Sequence, residues 1–266
     1  MSSRTTHHAR GPIPTFGAGT IIGTLGGLIG LGGAEFRLPL LVGWFRFQAL
    51  EAVILNKAMS LIVVTAALPM RASTVPWTEI GANIPVVANL LAGSLVGAYV
   101  GAGLALRLDR AALHRVIAIL LMAIALVLLL GHGFTGGEPL LTGIGLIAAG
   151  LVAGFGIGVV ASLLGVAGGE LLIPTLVLLF GIDVKLAGSL SLVISLPTML
   201  VGFARYARDD SFAVIGRNRA FVAIMALGSI AGAFIGSRML GIVPDSILLP
   251  ALAAILMISA YKMWRH

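Results

Sequence analysis

Six stretches of this chain, residues 80–106, 116–137, 139–169, 186–204, 220–237 and 246–261, contain no Asp, Glu, Lys or Arg. The roughly 30 Å hydrocarbon core of a bilayer needs about 20 mainly apolar residues per helical span. Runs of that length, one after another, restrict the chain to a polytopic membrane protein. Only 10% of the 266 residues are charged and 59% are hydrophobic, too little polar surface for a soluble fold. Backbone polar groups must be satisfied internally in hydrocarbon, and the long unbroken runs lack the alternating ten-residue pattern of a barrel. An all-α fold is therefore expected.

The chain has 17 Lys and Arg against 10 Asp and Glu. In a membrane protein this surplus reads as basic residues held in cytoplasmic loops rather than as a nucleic-acid surface. With no Cys, disulfides, thiolate metal sites and iron–sulfur clusters are excluded. The basic tail Arg4, His7, His8 and Arg10 does not read as a cleaved signal peptide. Apolar sequence continues from about residue 12 through Gly33 without a small-x-small cleavage site.

Shifting the sequence by 135 positions superposes two segments on themselves without a gap. Gly30-Leu-Gly-Gly33-Ala-Glu35-Phe-Arg-Leu-Pro39 falls on Gly165-Val-Ala-Gly168-Gly169-Glu170-Leu-Leu-Ile-Pro174, and Gly93-Ser94-Leu-Val-Gly97-Ala98 falls on Gly228-Ser229-Ile-Ala-Gly232-Ala233. A shared shift with Glu and Pro in register, where Glu is scarce, indicates a duplication. The expected division is a cytoplasmic tail over 1–12, a first membrane repeat over 13–135 and a second over 136–266. Each repeat reads as five membrane segments: 14–31, a short 34–45, 49–70, 80–106 and 112–131, then 141–164, a short 169–180, 184–204, 213–239 and 247–263.

An odd number per repeat places the halves in opposite orientations. The basic connections, namely the N-terminal tail, 107–115, 205–219 and the C-terminal tail, then share one face, which the positive-inside tendency makes cytoplasmic, with both termini there. The expectation is a multi-pass protein of the cell inner membrane with two inverted-topology repeats and broken or re-entrant short helices, an architecture of secondary transporters.

The Gly-rich interruptions are the strongest candidates for a site. A dozen helical residues rise about 18 Å, well short of the hydrocarbon core. Short, Gly-interrupted segments in matching positions of two halves point to a transporter's binding site, where close backbone and free N–H groups meet an anion. Tight helix packing competes with this reading. Candidate substrate contacts are Gly32, Gly33, Ala34, Gly168 and Gly169, with Asn56, Lys57 and Ser60 from one half and Ser189, Ser191 and Ser195 from the other. Glu35 and Glu170, in the first turns of the short helices, fit either helix capping or proton carriage. Lys57 fits snorkelling to the interface, a fixed charge for an anion, or a partner for Glu35. Arg37 fits an anion or a lipid headgroup. Pro39 and Pro174 read as shaping the short helices.

Other motifs carry less. Gly93, Gly97, Gly101, Gly228, Gly232 and Gly236 repeat every four positions, as close packing or a homodimer contact would use them. His114 and His132 lack partners at metal-ligand spacing. Gly154, Gly156 and Gly158 lack the strand and turn of a dinucleotide site. No P-loop, Ser/His/Asp set or His-Glu-x-x-His is present, so no enzyme, cofactor or metal is expected.

These motifs, with Ala187-Gly-Ser-Leu-Ser191, resemble the TauE/SafE family of sulfite exporters over essentially the whole chain after the tail. Ala34 stands where that family often has a third glycine, and Asn56-Lys57 replaces a small residue with Thr or Ser. The resemblance implies a membrane transporter of small sulfur-containing anions such as sulfoacetate and other organosulfonates, sulfite or thiosulfate, linked to protons. Its partners would be the anion, protons and membrane lipid, without nucleic acid. A passive anion channel or a membrane scaffold, with glycines serving only packing, is the alternative.

Overall fold

The computed structural model of the protein describes residues 11–29, 33–72, 77–130, 138–238 and 245–264. The 1–10 part of the tail, Gly30, Gly32, His132 and the connections 131–137 and 239–244 lie outside the described residues. Twelve α-helices and one 3-10 turn, with no strand, make up the described secondary structure. They are α1 (Pro12–Ile29), α2 (Ala34–Gly43), α3 (Ala49–Ala72), α4 (Trp77–Ala82), α5 (Ile84–Arg107) and α6 (Arg110–Leu130). The same order then recurs as α7 (Gly143–Leu164), α8 (Gly169–Phe180), α9 (Val184–Tyr206), α10 (Ala213–Arg217), α11 (Arg219–Arg238) and α12 (Asp245–Trp264).

Six of these helices are long and apolar enough to cross a bilayer, and the chain is a multi-pass helical membrane protein. Large apolar side chains such as Ile144 and Val152 stand exposed on its flanks, as lipid-facing positions do. The two short helices fall where the Gly-rich turns place them. The starts Ala34, Ala49, Ile84 and Arg110 lie 135 positions before Gly169, Val184, Arg219 and Asp245.

The structure departs from the sequence reading in one respect. Segments 80–106 and 213–239, expected as single spans, are each divided, at Asn83 between α4 and α5 and at Asn218 between α10 and α11. Each Asn leaves the helical conformation, with φ −102° at Asn83 and −123° at Asn218. In each, the side-chain Nδ2 donates to the carbonyl four residues back, Glu79 or Val214, at 2.9 Å. Asn competes with the backbone ladder in this way, and Pro85, just after the first break, has no N–H to continue it. The two breaks are themselves 135 residues apart.

The halves are not side by side as separate bodies. The first-half helix α1 packs along the second-half helix α11, and α5 along α7. The 135-residue shift carries one pair onto the other. A Cβ built at Gly23 would run into the backbone of Ser229, and one at its mate Gly158 into the backbone of Ser94, the mate of Ser229. Gly232 against Thr20 and Gly97 against Phe155 repeat the relation. The four-residue glycine spacing therefore serves helix contact inside the chain, with backbones closer than any side chain permits.

Replacing Gly23 or Gly158 by Leu forces these backbones apart. Each variant is expected to lose roughly 1–3 kcal/mol or more, the cost of overpacking, read as a lower thermal unfolding midpoint in detergent. Gly156→Ala, with open space around its new Cβ, should unfold like the parent.

Candidate functional site

The site forms where both short helices begin. Gly33, preceding α2, has φ 70°, and Gly165 and Gly168, between α7 and α8, have φ 68° and 86°. This left-handed region is open to glycine and strained for other residues. The turns also need the missing side chains: a Cβ at Gly33 would meet Ile22, and one at Gly168 would meet Ile157, its shift mate.

Breaking α7 at Leu164 leaves the last carbonyls of that helix without intrahelical partners, deep inside the protein. The backbone N–H groups of Gly165 and Val166 cap Ser162 O and Ala161 O, and side chains of α3 and α9 add to these bonds and take the carbonyls that follow. Asn56 Nδ2 donates at 3.0 Å both to Leu164 O and to Ala34 O, at the start of α2. Ser60 Oγ donates to Gly165 O at 3.3 Å, and Tyr206 OH to Ser162 O at 2.9 Å. Lys57 Nζ donates to Ala161 O at 3.1 Å and reaches Ser162 Oγ at 3.5 Å. A single α3 amide thus joins the broken turn of one half to that of the other.

Arg37 is wholly buried and spends its guanidinium on neutral protein groups. Nε donates to Asn56 Oδ1 at 2.7 Å, one terminal nitrogen to Ser60 Oγ at 2.7 Å and the other to Ser229 Oγ at 3.2 Å. It reaches no lipid headgroup. Lys57 is equally buried and does not snorkel to an interface. It has no carboxylate partner among the described residues, where the ion pair formed is Arg217 with Glu51. Gly202 of α9 closes over its ammonium, since a Cβ there would come within 3.2 Å of Nζ.

Glu35 and Glu170, the second residues of α2 and α8, are buried with their carboxyl groups facing each other and Arg37 near Glu35. No other described residue donates a hydrogen bond to any of their four carboxyl oxygens. Ser189, Ser191 and Ser195 are buried on α9. Ser191 donates to Gly188 O within its own helix at 2.9 Å, whereas Ser189 and Ser195 have hydroxyl oxygens without partners among the described residues.

Of the sequence candidates, Gly33, Ala34, Asn56, Ser60 and Glu35 meet Gly168, Gly169 and Glu170 around the two turns, with Lys57 against the end of α7. The α9 serines line the neighbouring helix instead, and Gly32 lies outside the described residues. Sequence reasoning passed over Ser229 and its mate Ser94, which hydrogen bonds Thr198 at 2.7 Å. The signal was present, because both serines sit in the duplicated Gly-Ser-x-x-Gly-Ala motif.

A family model described as sulfite exporter TauE/SafE matches residues 15–263. No curated protein and no solved structure matches the chain.

Arg37→Met would strand Asn56 Oδ1 and Ser229 Oγ and leave Ser60 with Gly165 O alone. Each buried group left unpaired costs roughly 1–3 kcal/mol, so this variant should unfold at a far lower temperature than the parent or fail to accumulate. Ser229→Ala, which removes one partner only, should cost about 1 kcal/mol in the same thermal measurement.

Proposed function

The chain belongs to the sulfite exporter TauE/SafE family of membrane transporters, and from that premise we propose a secondary active transporter of a small sulfur-containing anion. Sulfoacetate or another organosulfonate, sulfite and thiosulfate are the substrates to test, with proton coupling and alternating access. The observation that carries this reading is Lys57. A buried ammonium without a carboxylate is a large electrostatic cost at membrane depth, and an anion is the ligand that relieves it. Arg37 has each guanidinium nitrogen committed to protein oxygens, whereas Lys57 makes one hydrogen bond at 3.1 Å and one at 3.5 Å. Lys57, held by these two contacts, retains an ammonium N–H that an anion can take.

Ser189 and Ser195 offer additional hydroxyls on the same helix that closes over Lys57. The exchange of contacts between halves, α1 with α11 and α5 with α7, supports two repeats that rock against each other. In this reading the repeats, 13–135 and 136–266, insert in opposite orientations in the cell inner membrane, with both termini cytoplasmic. Glu35 and Glu170 serve coupling rather than capping, since neither carboxylate takes a hydrogen bond from a helix-end N–H of another described residue.

Purified protein in liposomes should accumulate at least one of these anions in response to an imposed pH gradient. Lys57→Met should cut that flux tenfold or more per folded molecule, the change expected when about 1.4 kcal/mol of anion binding is lost. Flux that ignores the pH gradient would identify a passive channel. A folded protein that neither binds nor moves any of the three anions would overturn the proposal.

A further inference from the structure

The carboxyls of Glu35 and Glu170 come from opposite halves of the chain and face each other where no other described residue donates a hydrogen bond to them. Two ionised carboxylates in contact repel, and in a dry interior the repulsion is screened poorly. Their four oxygens are acceptors only when both groups are ionised, and no other described residue donates to them. One proton resolves both difficulties, because a carboxylic acid donates to a facing carboxylate.

The surrounding charges favour the same count. Arg37 faces the pair with one positive charge, so a pair carrying one proton leaves the cluster neutral. Among the described side chains, the elements packed on α2 and α8 add no second charge at this point. Lys57 of α3 turns to the end of α7, and Glu51 pairs with Arg217. Arg110, Arg115, Lys185 and Lys262 are exposed, and His114 and Arg205 are partly so. Arg71 closes the end of α3, Asp245 opens α12, and α1 and α7 contain no ionisable residue.

We propose that Glu35 and Glu170 form a single proton site, holding one proton between them, and that this shared proton is the one the transporter couples. This rests on the proton-coupled reading above and sharpens it: the coupling group is assembled half from each repeat. A movement that separates the starts of α2 and α8 removes the acceptor that retains the proton, and the O–H proton then leaves to water on the open side. Closure without a proton would bring two bare carboxylates together. Proton binding and closure of the two halves are thereby the same event.

Infrared difference spectroscopy tests the pair without reference to substrate. The parent at neutral pH should show the carbonyl stretch of a buried carboxylic acid, sensitive to hydrogen–deuterium exchange. Glu35→Gln and Glu170→Gln should each abolish that band, since the new amide N–H donates to the remaining carboxylate in place of the proton. The same replacement keeps both variants folded. In liposomes both variants should still exchange anion across the membrane at equal pH, with accumulation driven by a pH gradient lost in each. A band or a pH-driven accumulation that survives in one variant assigns the proton to the residue left in it and overturns the shared site, as does a parent without the band. Absence of anion flux in the parent would instead count against the transport reading and leave the infrared result to decide the pair.

Discussion

An interrupted helix at membrane depth must find partners for the carbonyls it frees, because hydrocarbon offers none. The end of α7 is such an interruption, and its satisfaction organises the centre of this protein. Four side chains converge on it, Asn56, Lys57, Ser60 and Tyr206, three of them from a single stretch of α3. Because the Asn56 amide also takes the first carbonyl of α2, the breaks in the two halves cannot be positioned independently. The approach of Glu35 to Glu170 follows from this tie.

What holds the halves around that centre is different in kind. Lipid tails are as apolar as Leu side chains, so burying apolar surface between helices gains little in a bilayer, and close packing must supply the attraction. Glycines that admit a neighbouring backbone supply it along α1 with α11 and α5 with α7. Both seams join a first-half helix to a second-half helix, so neither repeat can complete its packing alone. A seam made of backbone and small side chains also lacks interlocked bulk, and two such seams flanking a polar centre suit one half moving against the other.

Much of the fold was legible because its cues are local. Uncharged length gave the spans, glycine clusters gave the short helices, and the common shift gave the recurrence of helix starts. The break at Asn83 was not legible, since the residues after it remain apolar and a hydrogen bond from Nδ2 to a carbonyl leaves no mark on hydropathy, whereas Arg217 and Arg219 flank the break at Asn218. The aligned Asn pair was the available cue. In the site, the residue types were readable but the connections were not. Arg37 bonds partners 19, 23 and 192 positions away, and no periodicity relates such distances. Its reading as a lipid-headgroup contact gave way to an interior brace for that reason.

The duplication also separates scaffold from chemistry. Backbone contacts, left-handed glycines, the Asn breaks and the paired glutamates all recur at the 135-residue shift. The cations do not: Leu172 stands opposite Arg37 and Leu192 opposite Lys57. Where Arg37 binds Ser229 in one half, Ser94 in the other pairs with neutral groups, Thr198 and Leu91 O. A symmetric frame with both positive charges in one repeat has a polar centre whose two sides differ electrostatically. In the proposed transport cycle, opposite rotations of the two halves would be nearly equivalent in packing while differing in how they treat an anion. That difference lies in side chains alone, because the backbone contacts of the two halves are alike.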